Sequence, residues 1–310
     1  MTDCRAPPSA SWRRAPASVY RSKLWAPRRL RRVRAEVDIA ERDVLEFPRW
    51  DSYSRFARAV RSCRRYVLGE DERDFLATVL ATIQDRDVEF KAGKIFYRAQ
   101  LGVEIVDRED DEGNWVGEDV VGFDAARMKP LSDRAREGRA NPTGIPALYV
   151  GTSAETAISE VRPWIGADVS VAMCRLLGPM RTLDLTKGHG KSSFAGAVFR
   201  HVLGDGPLTA EDKAKAVWID IDNAFSEPVT SSDDRADYAP TQVLAELFRS
   251  AGYDAIGYKS HFGDDGDRRG YNLAIFDPGM VEIASCVPYQ VKSIKVVAEQ
   301  NGTPWTKSRG

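Results

Sequence analysis

The chain has 310 residues, enough to bury one large core or two smaller ones, and its hydrophobic (43%) and charged (29%) fractions are ordinary for a soluble globular protein. Lys and Arg number 45 against 46 Asp and Glu, a near-balance that removes any global attraction to nucleic acid or to an anionic membrane. Four scattered cysteines, three histidines without ligand spacing and no apolar run near the roughly 20 residues that span a bilayer argue against a disulfide framework, a metal centre or a membrane anchor, and fit a reducing cytoplasm.

Positive charge is concentrated at the start. Through residue 34 there are Arg5, Arg13, Arg14, Arg21, Lys23, Arg28, Arg29, Arg31, Arg32 and Arg34, with Asp3 the only acid and no apolar segment of the kind a secretory signal needs. Residues 1–45 also hold Pro7, Pro8, Pro16 and Pro27 and show little periodicity. They read as a basic, poorly ordered tail, or alternatively as an arm for nucleic acid or an acidic partner.

Residues 46–90 read as a helical extension. One helix is predicted over 51–67, where Tyr53, Phe56, Val60, Cys63 and Val67 recur at steps of three or four. A second is predicted over 71–84, burying Phe75, Leu76, Val79, Leu80 and Ile83. From residue 91 the texture changes. Short β-rich runs lie at 94–99, 147–151, 168–176, 181–185, 216–221, 254–259 and 272–276. Helices are predicted between them at 153–161, 193–203 and 241–251. Thr152 and Glu155 have capping-box spacing at the start of the first, and Pro163 ends it. Residues 104–118 and 226–237 read as polar loops, and 291–310 as a tail. The pattern predicts an α+β domain with a mixed sheet over 91–290.

Two tempting motifs fail on spacing. GHGKS at 188–192 follows a strand, but the first glycine of a phosphate-binding P-loop falls on Leu185. Asp264, Asp265 and Asp267 lack the glutamate that closes a calcium loop. The informative segment is GRANPTGIPALYVGTSAETAISEVRPW at 138–164. Its Pro and Gly residues make a turn into a buried strand, and the helix that follows carries Glu160 at the margin of its apolar stripe. A carboxylate there suits charge stabilisation, and equally suits a surface pair with an arginine such as Arg162.

These pieces resemble the RES domain family, named for its Arg, Glu and Ser. The resemblance rests on FYRA at 96–99, GRANPTGIPALY at 138–149, ETAISEVRP at 155–163, YAPTQ at 238–242, GYDAIGYKS at 252–260 and NLAIFDP at 272–278, in that order. It implies a fold related to diphtheria-toxin-like ADP-ribosyltransferases, NAD⁺ as substrate, and a toxin of a bacterial toxin–antitoxin pair. Carried over residue by residue, the implied catalytic set is Arg98, Glu160 and Ser260. Arg98, Arg139, Tyr149, Tyr258 and Ser260 would contact the dinucleotide.

The residue types suit that chemistry. NAD⁺ carries an anionic diphosphate, and its nicotinamide–ribose bond breaks through an oxocarbenium-like sugar, as in other glycoside cleavages. Arginine forks bind phosphate in pairs of charge-assisted bonds, which suits Arg98 and Arg139. Glu160 can offset the developing cation, Tyr149 offers a ring face for nicotinamide, and Ser260 offers a hydroxyl to orient ribose or phosphate. Phosphorolysis, with inorganic phosphate as co-substrate, or hydrolysis is expected ahead of ADP-ribosyl transfer to a cellular target. No metal or further cofactor is expected. The expected partners are NAD⁺ and a cognate antitoxin, with no membrane, and nucleic acid only through the basic arm. The competing class is a non-catalytic binding module.

Overall fold

The computed structural model describes residues 45–194, 206–227, 235–260, 270–295, 300 and 302–303. The basic tail, most of the helix expected at 193–203, the Asp264–Asp267 cluster and most of the C-terminal tail lie outside the described residues. Among the described residues there are five α-helices: α1 (Ser52–Ser62), α2 (Glu70–Ala81), α3 (Ala154–Glu160), α4 (Ala210–Ser226) and α5 (Ala239–Ser250). The strands are β1 (Asp87–Phe90), β2 (Ile95–Leu101), β3 (Glu104–Glu109), β4 (Trp115–Val121), β5 (Leu148–Gly151), β6 (Asp168–Leu176), β7 (Met180–Leu185), β8 (Ala255–Lys259), β9 (Tyr271–Ile275) and β10 (Val281–Gln290).

Eight strands make one mixed sheet in the order β1-β7-β8-β9-β5-β2-β6-β10. β7 and β8 are parallel, and the other neighbours run antiparallel. The α+β class with a mixed sheet is therefore what the chain adopts.

Strand alternation sorts the apolar residues onto two faces. Leu183, Leu185, Ile256, Tyr258 and Ala274 face the helices, packing with Phe56 and Phe75 of the first pair and Val217, Ile221, Leu244 and Phe248 of α4 and α5. Phe96, Leu148, Val150, Cys174, Leu273 and Ile275 form a second cluster, closed by Phe123 and Met128 from the loop after β4. The helical extension thus shares one core with the sheet. The rings of Phe56 and Phe75 stack at 4.5 Å.

Three sequence expectations need correction. Residues 216–221 lie inside α4, not in a strand. Ala216, Val217, Trp218, Ile219 and Ile221 are all buried, so the run is apolar nearly all round and mimics a core strand. The Thr209 hydroxyl accepts the Asp212 N–H and starts the helix. Residues 104–118 are not a loop. Together with 119–121 they form the β3–β4 hairpin, a separate two-stranded sheet. Every residue of β3 is exposed, so no buried face writes an alternation into the sequence. Its turn is held by Asp110, whose Oδ1 accepts the N–H groups of Glu112 and Asn114 at 3.0 and 2.8 Å. Finally, α1 stops at Ser62. Cys63 is exposed and Val67 is 78% exposed, because the chain must turn back for α2 to reach Phe56.

Candidate active site

The site is built where α3 meets the ends of β8 and β9. The helix begins at Ser153, whose Oγ accepts the Thr156 N–H at 3.1 Å. The cap is therefore Ser153 and not the Thr152–Glu155 pair expected from spacing. Thr152 instead ties down the neighbouring strand, its backbone N–H donating to the Tyr271 carbonyl and its hydroxyl accepting the Tyr271 N–H. Thr156 leans so closely on Gly270 that a Cβ there would sit 2.0 Å from its Oγ1, which only glycine permits. The helix ends at Glu160. Arg162 follows in the left-handed region at φ 47°, and Pro163 prevents continuation.

This clamp fixes Glu160 against the sheet. Glu160 is itself exposed, but one of its oxygens is not idle. The buried Ser260 hydroxyl donates to Glu160 Oε1 at 2.7 Å across 100 residues of sequence. Asn272, also buried, donates its Nδ2–H to the same Oε1 at 2.5 Å. Among the described residues, Oε2 has no hydrogen-bond partner. Charge-assisted bonds of this kind are about twice as strong as neutral ones and hold the acid in one orientation.

Arg98 lies on β2, and among the described residues its hydrogen bond goes to Tyr149 rather than to Glu160. Alternation sets it with Phe96, on the face turned away from α3, whereas Tyr97 and Ala99 pack under the helix. β2 and β5 pair only at Tyr97 and Gly151. Where the strands part, Arg98 Nη1 donates to the Tyr149 carbonyl at 3.2 Å. Its Nε is buried without a hydrogen-bond partner, and no acid pairs with it among the described residues. Burial pushes the guanidinium below its ordinary pKa, only partly opposed by the nearby Cys174 thiol.

Arg139 and Tyr258 stand together on the helix-facing side. The guanidinium sits 5.9 Å from the Tyr258 ring, and its Nη1 donates to the Phe225 carbonyl at 2.6 Å. Tyr258 is buried, and burial raises its phenol far above the usual range. Tyr149 has a structural duty beyond the ring face expected of it. Its hydroxyl accepts the Ala140 N–H and donates to Asn141 Oδ1 at 2.7 Å. Gly138 is required there, since a Cβ would meet that hydroxyl at 2.4 Å.

Sequence reading missed Asn272, Asn141 and Gln242 as working residues. Asn141 Nδ2 donates to the carbonyls of Arg136, Pro142 and Ile145, and Gln242 Nε2 donates to those of Gly138 and Asn141. These bonds fold the loop that presents Arg139. The signal was present, since Asn141 and Gln242 are polar positions within the quoted motifs, but a lone amide carries no signature of its partner.

Fold and site together define an α+β protein whose helix-borne acid is held by a distant serine and asparagine, with Arg139 beside Tyr258 on the helix-facing side and Arg98 on the other face of β2. The sequence matches the RES domain over residues 119–291, more than half of the chain, and the chain belongs to that family. The match excludes β2, so Arg98 lies outside it. A comparison with curated proteins finds no match. A solved structure, that of the M. tuberculosis MbcT-MbcA toxin-antitoxin complex, is similar at 15% identity and a TM-score of 0.34, covering 68% of this chain and 92% of that one. Among the described residues no helix is long and apolar enough to cross a membrane, and no three His, Cys, Asp or Glu residues gather as a metal-holding group.

Proposed function

We propose that the protein binds NAD⁺ and breaks its nicotinamide–ribose bond. The observation that carries the reading is the meeting of Glu160 and Ser260, 100 residues apart, at one carboxylate oxygen. Membership of the RES family supports it. The kinship with diphtheria-toxin-like transferases, implied by the resemblance, belongs to the same proposal.

In this reading the C1′–N1 bond breaks, and its electron pair leaves with nicotinamide, which becomes neutral. The ribose carbon is left oxocarbenium-like, and the Glu160 carboxylate opposes that charge. A fixed carboxylate has no reorganisation to undergo during the reaction, and one such group commonly contributes about 3 kcal/mol or more. Ser260 holds Glu160 and orients the adjoining ribose. Tyr149 and Tyr258 line the nicotinamide side. Arg98, at the gap where β2 and β5 part, and Arg139, beside Tyr258, reach the diphosphate from opposite faces of the sheet, and a phosphate oxygen there would satisfy the buried Nε of Arg98. A phosphate oxygen that attacks C1′ gives ADP-ribose 1-phosphate. Water gives ADP-ribose and a proton. A nucleophile on another molecule gives ADP-ribosyl transfer.

We favour degradation of NAD⁺ over transfer, and therefore a toxin held in check in the cytoplasm by a cognate antitoxin. Phosphorus NMR of the products distinguishes the routes. The expected result is free ADP-ribose or its 1-phosphate. ADP-ribose attached to protein, with no free product, would replace degradation by transfer.

A further inference from the structure

Asn272 is the second residue of β9, between Tyr258 on one side and Gly151 on the other, and is 4% exposed. Tyr271 before it is exposed, and the three residues that follow, Leu273, Ala274 and Ile275, are fully buried. An amide is a poor choice for such a position. Asparagine is depleted in strands, and burying its polar head costs free energy unless the bonds are made. Among the described residues, the Asn272 side chain makes one hydrogen bond, to Glu160 Oε1. Glu160 is exposed, so water could satisfy it without help. A buried amide spent wholly on an exposed carboxylate adds little to folding.

What the bond does accomplish is geometric. Asn272 and Ser260 both donate to Oε1, and two donors fixed on different strand ends leave the carboxylate one orientation. The second oxygen, Oε2, is then left without a hydrogen bond among the described residues. We propose that Asn272 is a positioning residue, which acts with Ser260 to hold Glu160 Oε1 so that Oε2 is presented to the ribose of the substrate. The identity of that substrate rests on the NAD⁺ reading above, whereas the positioning does not.

The test combines structure and kinetics on the full chain. Crystal structures of the wild type and of Asn272→Ala should show the Glu160 carboxylate displaced in the variant. A carboxylate that stays in place overturns the inference, whether or not NAD⁺ is cleaved. In nicotinamide release, Asn272→Ala should lower kcat about tenfold or more, the scale of a hydrogen bond to a charged group, and change KM by much less. Asn272→Ser, which keeps a donor and leaves a smaller gap, should recover part of the rate and covers the case in which the alanine variant fails to fold. In a Glu160→Gln background, Asn272→Ala should cost little further rate, because the acid it positions is gone. An equal loss in both backgrounds would mark a packing role and overturn the inference. A wild type that releases no nicotinamide, with Glu160 displaced in Asn272→Ala, would overturn the NAD⁺ reading and support the positioning.

Discussion

Arg98 holds a positive charge where the chain gives it a carbonyl but no acid among the described residues. Such a charge is costly in a ligand-free protein, and burial shifts its pKa down accordingly. Arg98→Met should therefore unfold at equal or higher urea concentration than the wild type, while its KM for NAD⁺ rises about tenfold or more, the value of one charge-assisted contact. Arg98→Lys should raise KM nearly as much, since an ammonium lacks the planar fork. A Met variant that loses stability and keeps its KM would assign Arg98 to the fold alone. Arg98 shares the face of Phe96 because a strand period of two is a local rule. The Glu160–Ser260 contact was legible only through the family resemblance, since nothing local brings residues 100 apart together. Asn272 opens the NLAIFDP motif, but its role was not legible: one asparagine in a strand reads as a poor strand former until its partner is seen.

At the scale of elements, short apolar runs between turn signals were readable as strands even where both faces are buried, as in β6, β8 and β9. α2 and β7 were likewise found near their true bounds. α4 was misread because burial on nearly all sides erases helical period, and β3 because exposure on all sides erases the strand period. α4 also carries Asp222, fully buried, which pairs with Arg86 at 2.7 Å and accepts the Gly188 N–H at 2.6 Å. Arg86 in turn lies 4.2 Å over the Trp218 ring. This pair explains the GHGKS turn as a connection pinned to α4 by a carboxylate. Asp222→Ala strands Arg86 and should cost about 3–5 kcal/mol in equilibrium unfolding. Adding Arg86→Met should recover part of that loss, and a double variant worse than the single would contradict the account. The β3–β4 hairpin makes the opposite case. Trp115 is 64% exposed, so Trp115→Ala should change stability by no more than about 0.5 kcal/mol in the same experiment.

For the molecule as a whole, composition and charge bounded the class, and the strand–helix pattern gave α+β with a mixed sheet. The strand order was not readable, because β1 pairs with β7 and β2 with β6 through contacts far apart in sequence. Nor was it readable that the first two helices complete the core over β7 and β8, since an amphipathic stripe does not name its partner. The long-range closure that hides order and packing from sequence is also what gathers an acid from one helix and donors from two strand ends. The central claim is that this gathered acid drives cleavage of NAD⁺. It is tested most directly by timing nicotinamide release from NAD⁺ by the wild type and by Glu160→Ala, each with and without inorganic phosphate. The expected result is release by the wild type and a loss of about 100-fold or more in the variant, with phosphate acceleration marking phosphorolysis. Absence of release by the wild type under both conditions, or equal release by the variant, would contradict it.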